Sequence, residues 1–426
     1  MSLVQKLQKL QLGLTQPSTF RDSIRDERVE TLSSSLYRQV VCSWNRPNSR
    51  ERSAGFIDEK AAGYLSIDID KTESRYLLAG CVNGSLEIFD LDPISQSPRQ
   101  LCPRIAAVKK QSKDCHLSNC NWVQWYARDN GIFVTSSHDK TVKVWDANEM
   151  VAVQSFPFNM PVFMHQLAAD AASGPSHSMI AVASDESNVR LVDMRSGVQT
   201  QHLYGHHKQG VVCVQWSPYD SNILLSAGRD GQLLCWDIRS GKSFLKALLD
   251  DKCRTIDVAH DLTIVALKFA SPRECMCLVS MDTEGGVRIW DPLTLNLKKR
   301  VSIRYRSDLR SLKAIGIDFA YHTVDHMQAG NVFIPSSTSV EVISLLDSKR
   351  RTLAAHMMPC FSCAYRGPDY QELYTASYDK TIGCLRPEHD ENPEFKKRLL
   401  VVRLPGHEDD ARITVDLTQD AWSDSD

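Results

Sequence analysis

The sequence lacks the features that would place it in a membrane, on a nucleic acid or among the common enzymes. Its 426 residues contain no apolar run near the ~18 residues that a membrane helix needs. A net charge of -2 gives no global attraction to nucleic acid or anionic lipid. Gly285-Gly286 is an isolated pair typical of a hairpin turn, and no glycine-rich phosphate loop occurs. Because no paired carboxylates with a supporting His are found either, we expect no enzyme, catalytic residue or cofactor.

Regularly framed cysteines are also absent. The 13 cysteines are scattered through strand-like runs, which predicts reduced and mostly buried thiols rather than a disulfide framework. Lys6 and Lys9 interrupt the leucines near the start, so we expect no signal peptide.

The stretch from Gly131 to Met150 carries the pattern around which the chain is organised. An apolar run is followed by a tight polar turn at Asp139 and an alternating strand that ends in Trp145-Asp146. This is the second half of the WD-repeat signature, in which the turn Asp reaches a buried His and the Trp fills the space between sheets. One such unit cannot bury its own faces, so further copies are required.

Seven copies can be counted. The fourth is the fullest, with His206, Asp230 and Trp236 predicted to form one hydrogen-bonded set. The fifth has Trp290, with Glu284 in the turn register, and the seventh repeats the turn at Asp379. The positions equivalent to Trp lie 41 to 56 residues apart, as in a repeat of one blade plus variable loops. They are Phe89, Trp145, Val192, Trp236, Trp290, about Ser344, and Leu385.

The fold class that follows is all-β: a seven-bladed WD-repeat β-propeller over residues 61–386, because a closed ring leaves few sheet edges. Either Val40–Trp44 or Leu399–Val402 could supply the outer strand that completes the ring. Residues 43–60 are a linker by composition. Residues 387–426 are an acidic C-terminal tail, interpreted either as solvated or as a docking peptide anchored by Trp422.

Residues 1–42 predict a helix-loop-helix. A first apolar stripe is followed, after Pro17, by a second stripe with arginines around its first turns. These helices either fold back on the propeller or form an arm that docks in a partner's groove. The residues assigned to partner binding in the arm are Leu3, Leu7, Leu10, Leu14, Phe20, Ile24, Arg25 and Arg28.

Three further groups could carry chemistry. His356, Cys360 and Cys363 suggest zinc or redox chemistry, but half of a four-ligand site is missing, so we interpret them as core residues and expect no metal. Arg195 and Arg239 each lie two residues past a strand-ending Asp and could contact a partner's carboxylates from one rim. A basic cluster is either a solvated loop or a contact for an acidic partner or nucleic-acid backbone; its members are Lys298, Lys299, Arg300, Arg304, Arg306, Arg310 and Lys313.

The motifs resemble one family in particular. VQWYARDNGIFVTSSHDKTVKVWD, VQWSPYDSNILLSAGRDGQLLCWDIR, QELYTASYDKTI, the terminal DAWSDSD and QLGLTQP near the start are similar to the Cockayne syndrome group A family. The resemblance extends from about residue 8 to the C-terminus. Val192 departs from the family pattern, as do the irregular turns of the third and fifth repeats.

The resemblance implies a non-catalytic substrate receptor of a cullin–RING ubiquitin ligase in transcription-coupled nucleotide excision repair. The N-terminal arm, with Arg195 and Arg239, would hold the ligase's damaged-DNA-binding adaptor. The other implied partners are a repair ATPase of the Cockayne syndrome group B type and stalled RNA polymerase II. The implied location is nuclear, in the matrix or on damaged chromatin, with a cytoplasmic pool left open. We expect no membrane and no direct nucleic-acid contact. The alternative is a WD-repeat scaffold of another nuclear complex, in chromatin or RNA processing.

Overall fold

A computed structural model describes residues 63–92, 103–168, 178–204, 206–240, 244–270, 277–303, 305, 313–324, 327–345, 350–367, 370 and 372–385. The predicted arm, linker and acidic tail lie outside the described residues. So do Arg304, Arg306 and Arg310 of the basic cluster.

The described residues form seven antiparallel sheets, each from consecutive strands, and so confirm the predicted seven-bladed β-propeller. The strands of blades 1 to 3 are β1 (Tyr64–Ile69), β2 (Tyr76–Cys81), β3 (Leu86–Asp90), β4 (Arg104–Val108), β5 (Cys120–Trp125), β6 (Ile132–Ser137), β7 (Thr141–Asp146), β8 (Val151–Pro157), β9 (Val162–Leu167), β10 (Met179–Ser184), β11 (Val189–Asp193) and β12 (Val198–Leu203).

Blades 4 to 7 continue the same up-and-down order. Their strands are β13 (Val211–Trp216), β14 (Ile223–Gly228), β15 (Leu233–Asp237), β16 (Phe244–Leu248), β17 (Ile264–Phe269), β18 (Leu278–Asp282), β19 (Gly286–Trp290), β20 (Leu297–Ser302), β21 (Asp318–Val324), β22 (Met327–Ser336), β23 (Ser339–Ser344), β24 (Arg350–Ala354), β25 (Cys360–Tyr365), β26 (Leu373–Ser377) and β27 (Ile382–Leu385). Within the described residues blade 7 has three strands. Both segments predicted to complete the ring, Val40–Trp44 and Leu399–Val402, lie outside the described residues.

In blades 1 to 5 burial falls from the inner strand to the outer one. The inner strand β13 is buried at every position, since it packs against neighbouring blades on both faces. The third strand β7 alternates, with Val142 and Val144 buried and Lys143 half-buried, as a period of two requires. The outer strand β8 is exposed at alternate positions and faces solvent. The core therefore lies in the wedges between blades rather than in one central mass.

Arg366 joins the last blade to the first. Its side chain is buried, and it donates to the carbonyl oxygens of Ser74 (2.6 Å) and Leu91 (3.3 Å) in blade 1. It also forms ion pairs with Asp92 of blade 1 (2.9 Å) and Glu372 of blade 7 (3.0 Å). One cation thus links carboxylates from both ends of the described chain across this junction.

Candidate interaction surfaces

Four blades share a buried chain of hydrogen bonds that fixes the turns at one end of the propeller. In blade 2, His116 Nδ1 lies 2.9 Å from Asp139 and His116 Nε2 lies 2.7 Å from the Thr135 hydroxyl, which accepts a bond from Trp145 Nε1 at 2.8 Å. Blades 4 and 5 repeat this Asp–His–hydroxyl–Trp arrangement with residues that are described below. In blade 7 the corresponding His and Asp are His356 and Asp379, 3.1 Å apart, without a Trp.

The His of blade 4 is His207, not His206 as the sequence predicted. His207 Nδ1 lies 3.2 Å from Asp230, and its Nε2 lies 2.7 Å from Ser226. Ser226 also accepts the Trp236 indole N–H at 2.7 Å. His206 instead packs against Trp236 and Phe244, with its ring centroid 4.5 Å from that of Phe244. The backbone N–H of the next residue, Lys208, also donates to Asp230, at 2.8 Å, as Leu117 does to Asp139 in blade 2.

Blade 5 also departs from the predicted register. Glu284 occupies the turn position but is exposed, and its backbone N–H donates to Asp282. Asp282, at the end of β18, reaches His260 Nδ1 at 2.9 Å, and Ser280 completes the chain with Trp290. Asp282, two residues before the turn position, therefore takes the place of the turn Asp as the partner of His260.

Sequence reasoning did not assign His116 to the network, and it interpreted His356 as a core residue without recognising it as the network His of blade 7. A signal was available: each lies 23 residues before the turn Asp of its blade, as His207 lies before Asp230. Cys360 and Cys363, beside His356, are buried in the core, where Cys363 Sγ contacts the carbonyl oxygens of Gly316 and Phe333. The described residues contain no group of three side chains placed to hold a metal ion.

Burial determines the protonation of this network. It lowers the pKa of His116, although Asp139 opposes the shift. Burial alone would raise the pKa of Asp139, but hydrogen bonds from His116, Thr141 and a backbone N–H hold it below its ordinary value. A neutral His that donates from Nδ1 to the carboxylate accepts the Thr135 O–H at Nε2. The Asp–His–hydroxyl order is that of a hydrolase triad, yet the hydroxyl is fully buried, so this set is structural.

Blade 3 has no such network. Val182 stands where the four network blades have the hydroxyl, and Val192 stands where blades 2, 4 and 5 have Trp. His165 pairs with Val182 across β9 and β10, and both of its ring nitrogens are buried without a hydrogen-bond partner. The same position is Val123 in blade 2 and Val214 in blade 4. Burial lowers the pKa of His165 to about 3, so the ring is neutral.

The opposite end of the propeller carries a second repeated feature. In blades 1 to 4 the third strand ends in an Asp, and in blade 5 an Asp directly follows it. The carboxylate of each Asp accepts the backbone N–H of the residue two positions later, at 2.8–3.1 Å. The residue held in this way is Asp92, Asn148, Arg195, Arg239 or Leu293 in blades 1 to 5. Blades 3 and 4 are therefore the two of these five that present an arginine.

Arg239 and Arg195 differ in the contacts that they make with the Asp of their own turn. The Arg239 guanidinium makes a two-armed pair with Asp237, at 2.9 and 2.6 Å, while 65% of its side chain stays exposed. Arg195 is exposed, and its backbone N–H donates to Asp193 at 3.0 Å. The two blades are neighbours joined through Gln166 and Gln215, whose side chains lie 3.1 Å apart. Both arginines thus project from one face on adjacent blades.

Comparison with known proteins agrees with this construction. The family model described as WD domain, G-beta repeat matches residues 108–146 and 197–237, which fall on blade 2 and on blades 3 and 4. The chain is a WD-repeat protein.

Three relatives are similar to the chain over part of their length. WD repeat-containing protein ATCSA-1 of Arabidopsis thaliana is 33% identical over 195 residues, 44% of this chain and 42% of the relative. Radiation-sensitive protein 28 of Saccharomyces cerevisiae is 28% identical over 203 residues, 42% of this chain and 39% of the relative. Ribosome biogenesis protein WDR12 homolog of Anopheles gambiae is 28% identical over 279 residues, 62% of this chain and 60% of the relative. The chain therefore spans less than two thirds of each of these relatives.

Of the four described members of the basic cluster in this WD-repeat protein, three have polar partners within the chain, and Lys313 has its Nζ 5.1 Å from the centroid of the Phe361 ring. Lys298 pairs with Asp291 at 3.0 Å, and Lys299 Nζ donates to the carbonyl oxygen of Leu345 at 3.0 Å. Arg300 makes a two-armed pair with the buried carboxylate of Asp250. Because these cations are already neutralised or hydrogen-bonded, the three do not form a free basic surface. Across the described residues, no helix has the length and hydropathy to cross a bilayer.

Proposed function

We propose that this WD-repeat protein is a non-catalytic substrate receptor, which links the damaged-DNA-binding adaptor of a cullin–RING ubiquitin ligase to proteins of transcription-coupled repair. The observation that carries the proposal is the pair of Asp-x-Arg turns on blades 3 and 4. Arg195 is exposed and can offer a planar, two-armed contact to a partner's carboxylate, while Asp237 holds the guanidinium of Arg239 in place with 65% of the side chain exposed, so the pair on adjacent blades suits a fixed protein partner.

The relatives support the repair assignment. Resemblance to the Cockayne syndrome group A family, together with the matches to ATCSA-1 and to a radiation-sensitive protein, favours repair over the other roles of WD-repeat proteins. The proposed clients are a repair ATPase of the Cockayne syndrome group B type and stalled RNA polymerase II, and the proposed location is the nucleus. The propeller would act as a rigid spacer, with the adaptor at the Arg195 and Arg239 face and the N-terminal arm of residues 1–42 docked in the adaptor.

The test is co-precipitation of the purified adaptor. We expect full-length protein to bind, and the variant R195A/R239A to bind at least about tenfold more weakly. The matched controls are N148A and L293A, because those residues occupy the same turn position in blades 2 and 5. Residues 43–426 should melt at the wild-type temperature and lose the adaptor. Retention of the adaptor by R195A/R239A and by residues 43–426 would refute the receptor assignment.

A second candidate is a scaffold of another nuclear complex. It is favoured by the WDR12 homolog, which is matched over the longest share of the chain among these relatives and is named for ribosome biogenesis. In that case the N-terminal helices would pack on the propeller, so deletion of residues 1–42 would lower the melting temperature, and full-length protein would ignore the adaptor.

A further inference from the structure

We propose that the end of the propeller opposite the arginine turns, across blades 7, 1 and 2, is a docking surface for a partner segment in which acidic side chains surround an apolar one. Two independent features coincide there: strained lysines and rigidly held, exposed apolar side chains.

The lysines lie at one position of a turn that five blades share. This residue lies one position before the third strand in blades 2 and 5 and two positions before it in blades 1, 4 and 7. It has a positive φ in all five: Gly84, Lys140, Gly231, Gly285 and Lys380, with φ between 67° and 89°. Glycine adopts this conformation freely, whereas a side chain there costs about 1–2 kcal/mol. Blades 2 and 7 accept that cost and place an exposed Lys. Strain of this kind is typical of functional positions.

The apolar side chains belong to the same two blades. Leu117 follows the network residue His116, and its N–H donates to Asp139 at 2.9 Å. Met357 follows His356, and its N–H donates to Asp379 at 3.2 Å. The backbone is therefore fixed by the buried network, while the side chains are 85% and 81% exposed. In blades 4 and 5 the residues that follow the network His are Lys208 and Asp261 instead.

The two blades are joined into one surface by blade 1. The Tyr378 N–H donates to the Pro359 carbonyl oxygen, and the Tyr378 backbone packs on Gly63 so closely that an added Cβ would lie 2.8 Å from it. Gly63 accepts the Val82 N–H at 2.8 Å, and Cys115 Sγ lies 3.2 Å from the Gly84 carbonyl oxygen. The surface is thus continuous from Met357 to Leu117.

Its charge is positive. Lys140 and Lys380 form no ion pair with an acidic side chain among the described residues, and Lys109 and Lys113 are exposed on the loop that leads to Leu117. Lys110 bonds the carbonyl oxygens of His116 and Leu117, at 3.0 Å each, and so stiffens that loop. Asp114 is the one acidic residue of the loop.

A peptide fits this chemistry better than a nucleic acid. Lysines would pair with phosphates as well as with carboxylates, and the Tyr378 ring, 43% exposed, could stack on a base, but the most exposed apolar side chains here, Leu117 and Met357, are aliphatic and match an apolar side chain of a peptide. Apolar anchors encircled by acidic side chains match both features of the surface, since the anchors bury area and the acids set orientation. That such a partner is ubiquitinated rests on the proposed function; the docking surface itself does not.

The experiment measures fluorescence anisotropy of a short labelled peptide, with aspartates and glutamates around a leucine and a phenylalanine, against full-length protein at ~0.15 M salt. We expect binding, at least about tenfold weaker for a peptide with serines at both apolar positions. The variants K140G/K380G and L117S/M357S should each weaken binding by a similar factor. Lys208→Gly and Ile256→Ser, exposed positions on blades 4 and 5, are the matched controls.

Three outcomes would overturn the proposal: equal binding of both peptides, equal competition by a single-stranded oligonucleotide, or tighter peptide binding by W422S, which would make the chain's own tail the occupant. Melting curves of every variant check that lost binding does not come from unfolding. K140G/K380G should stay folded, because glycine is favourable at both lysine positions. Since the adaptor is absent from this experiment, its failure would leave the proposed function standing, and the adaptor test would in turn leave this surface standing.

Discussion

His206 and His207 are adjacent in sequence, but they differ in what holds them. His207 bridges Asp230 and Ser226 inside blade 4, whereas His206 contributes a ring contact to Trp236 and Phe244. Polar groups buried without partners cost more than a lost apolar contact, so neighbouring side chains of the same type can have very different energetic weight.

The first prediction compares these two residues. His207→Ala leaves a buried carboxylate and hydroxyl without their partner and should cost about 2–3 kcal/mol. His206→Ala removes aromatic packing and should cost about 1 kcal/mol. Thermal denaturation of both variants beside wild type checks the ranking. A larger loss for His206→Ala would show that the network has been assigned to the wrong residue.

The second prediction concerns pH and His165. A His with a lowered pKa in the folded state binds protons more readily when unfolded, so its contribution favours folding above the unfolded pKa of about 6.5 and is lost as the pH falls. With a folded pKa of about 3, the loss from His165 at pH 5 is about 2 kcal/mol. His165→Val should remove it, and valine is found at this position in blades 2 and 4.

The check on His165 is a series of melts between pH 7.5 and pH 5. The advantage of His165→Val over wild type should grow as the pH falls. His116, whose pKa is also lowered by burial, keeps its partners in both proteins and supplies the common acid sensitivity. Parallel pH profiles would contradict the assignment of His165 as a buried neutral group.

At the scale of a single turn, the same backbone geometry is built with different residues. The turn before the third strand is completed by glycine in blades 1, 4 and 5 and by lysine in blades 2 and 7. The hydrogen bonds of the turn are common to both kinds, as the Lys140 and Gly231 N–H groups each donate three residues back at 3.3 Å. The difference is therefore conformational strain and not lost bonding.

The third prediction follows from that strain. Lys140→Gly and Lys380→Gly should each raise stability by about 1 kcal/mol, because glycine relieves the left-handed conformation but loses more entropy on folding. Lys208→Gly, at a residue without positive φ, should give no gain. Chemical denaturation at neutral pH measures all three. A gain for Lys208→Gly equal to the others would mean that surface charge, not φ, sets the effect.

The strands and turns were predictable from the sequence, whereas contacts between distant segments were not. The repeating strand-turn-strand pattern predicted seven blades, because alternation and turn residues are local signals. The partners of Lys299 and Arg300 could not be predicted, since Leu345 and Asp250 lie 46 and 50 residues away and become neighbours only in the folded ring. The lysine turns were visible as a repeated Asp-Lys-Thr, but their φ and their shared surface depend on the three-dimensional arrangement.

At the scale of the molecule, stability depends on closing the circle. Tyr64, Ile67 and Leu77 of blade 1 share one apolar cluster with Tyr374 and Ile382 of blade 7. Arg366 crosses the same junction and is buried among four oxygen acceptors, two of them carboxylates. Because each blade is covered by two neighbours, an opened junction exposes the faces of both.

The fourth prediction tests the junction. Arg366→Ala removes a buried cation from two carboxylates and should cost about 3–5 kcal/mol. Hydrogen exchange should quicken in β1 and β26 before it does so in β13, which lies across the ring. Arg195→Ala, at an exposed side chain, is the control and should leave exchange unchanged. Uniform acceleration in all blades would indicate global unfolding instead of a local opening.

Because Arg366 contacts blade 1 from the last blade, blade 1 stays without this contact while the intervening chain is translated. Asp92 and Arg366 are separated by 274 residues, so blade 1 leaves the ribosome long before its last neighbour has been translated. At roughly 5–20 residues per second, the delay is on the order of 15 to 55 seconds. Throughout that interval the nascent chain carries an uncovered sheet face, which a chaperone can recognise. A premature stop codon upstream of codon 366 would therefore yield a product that stays permanently in that uncovered state.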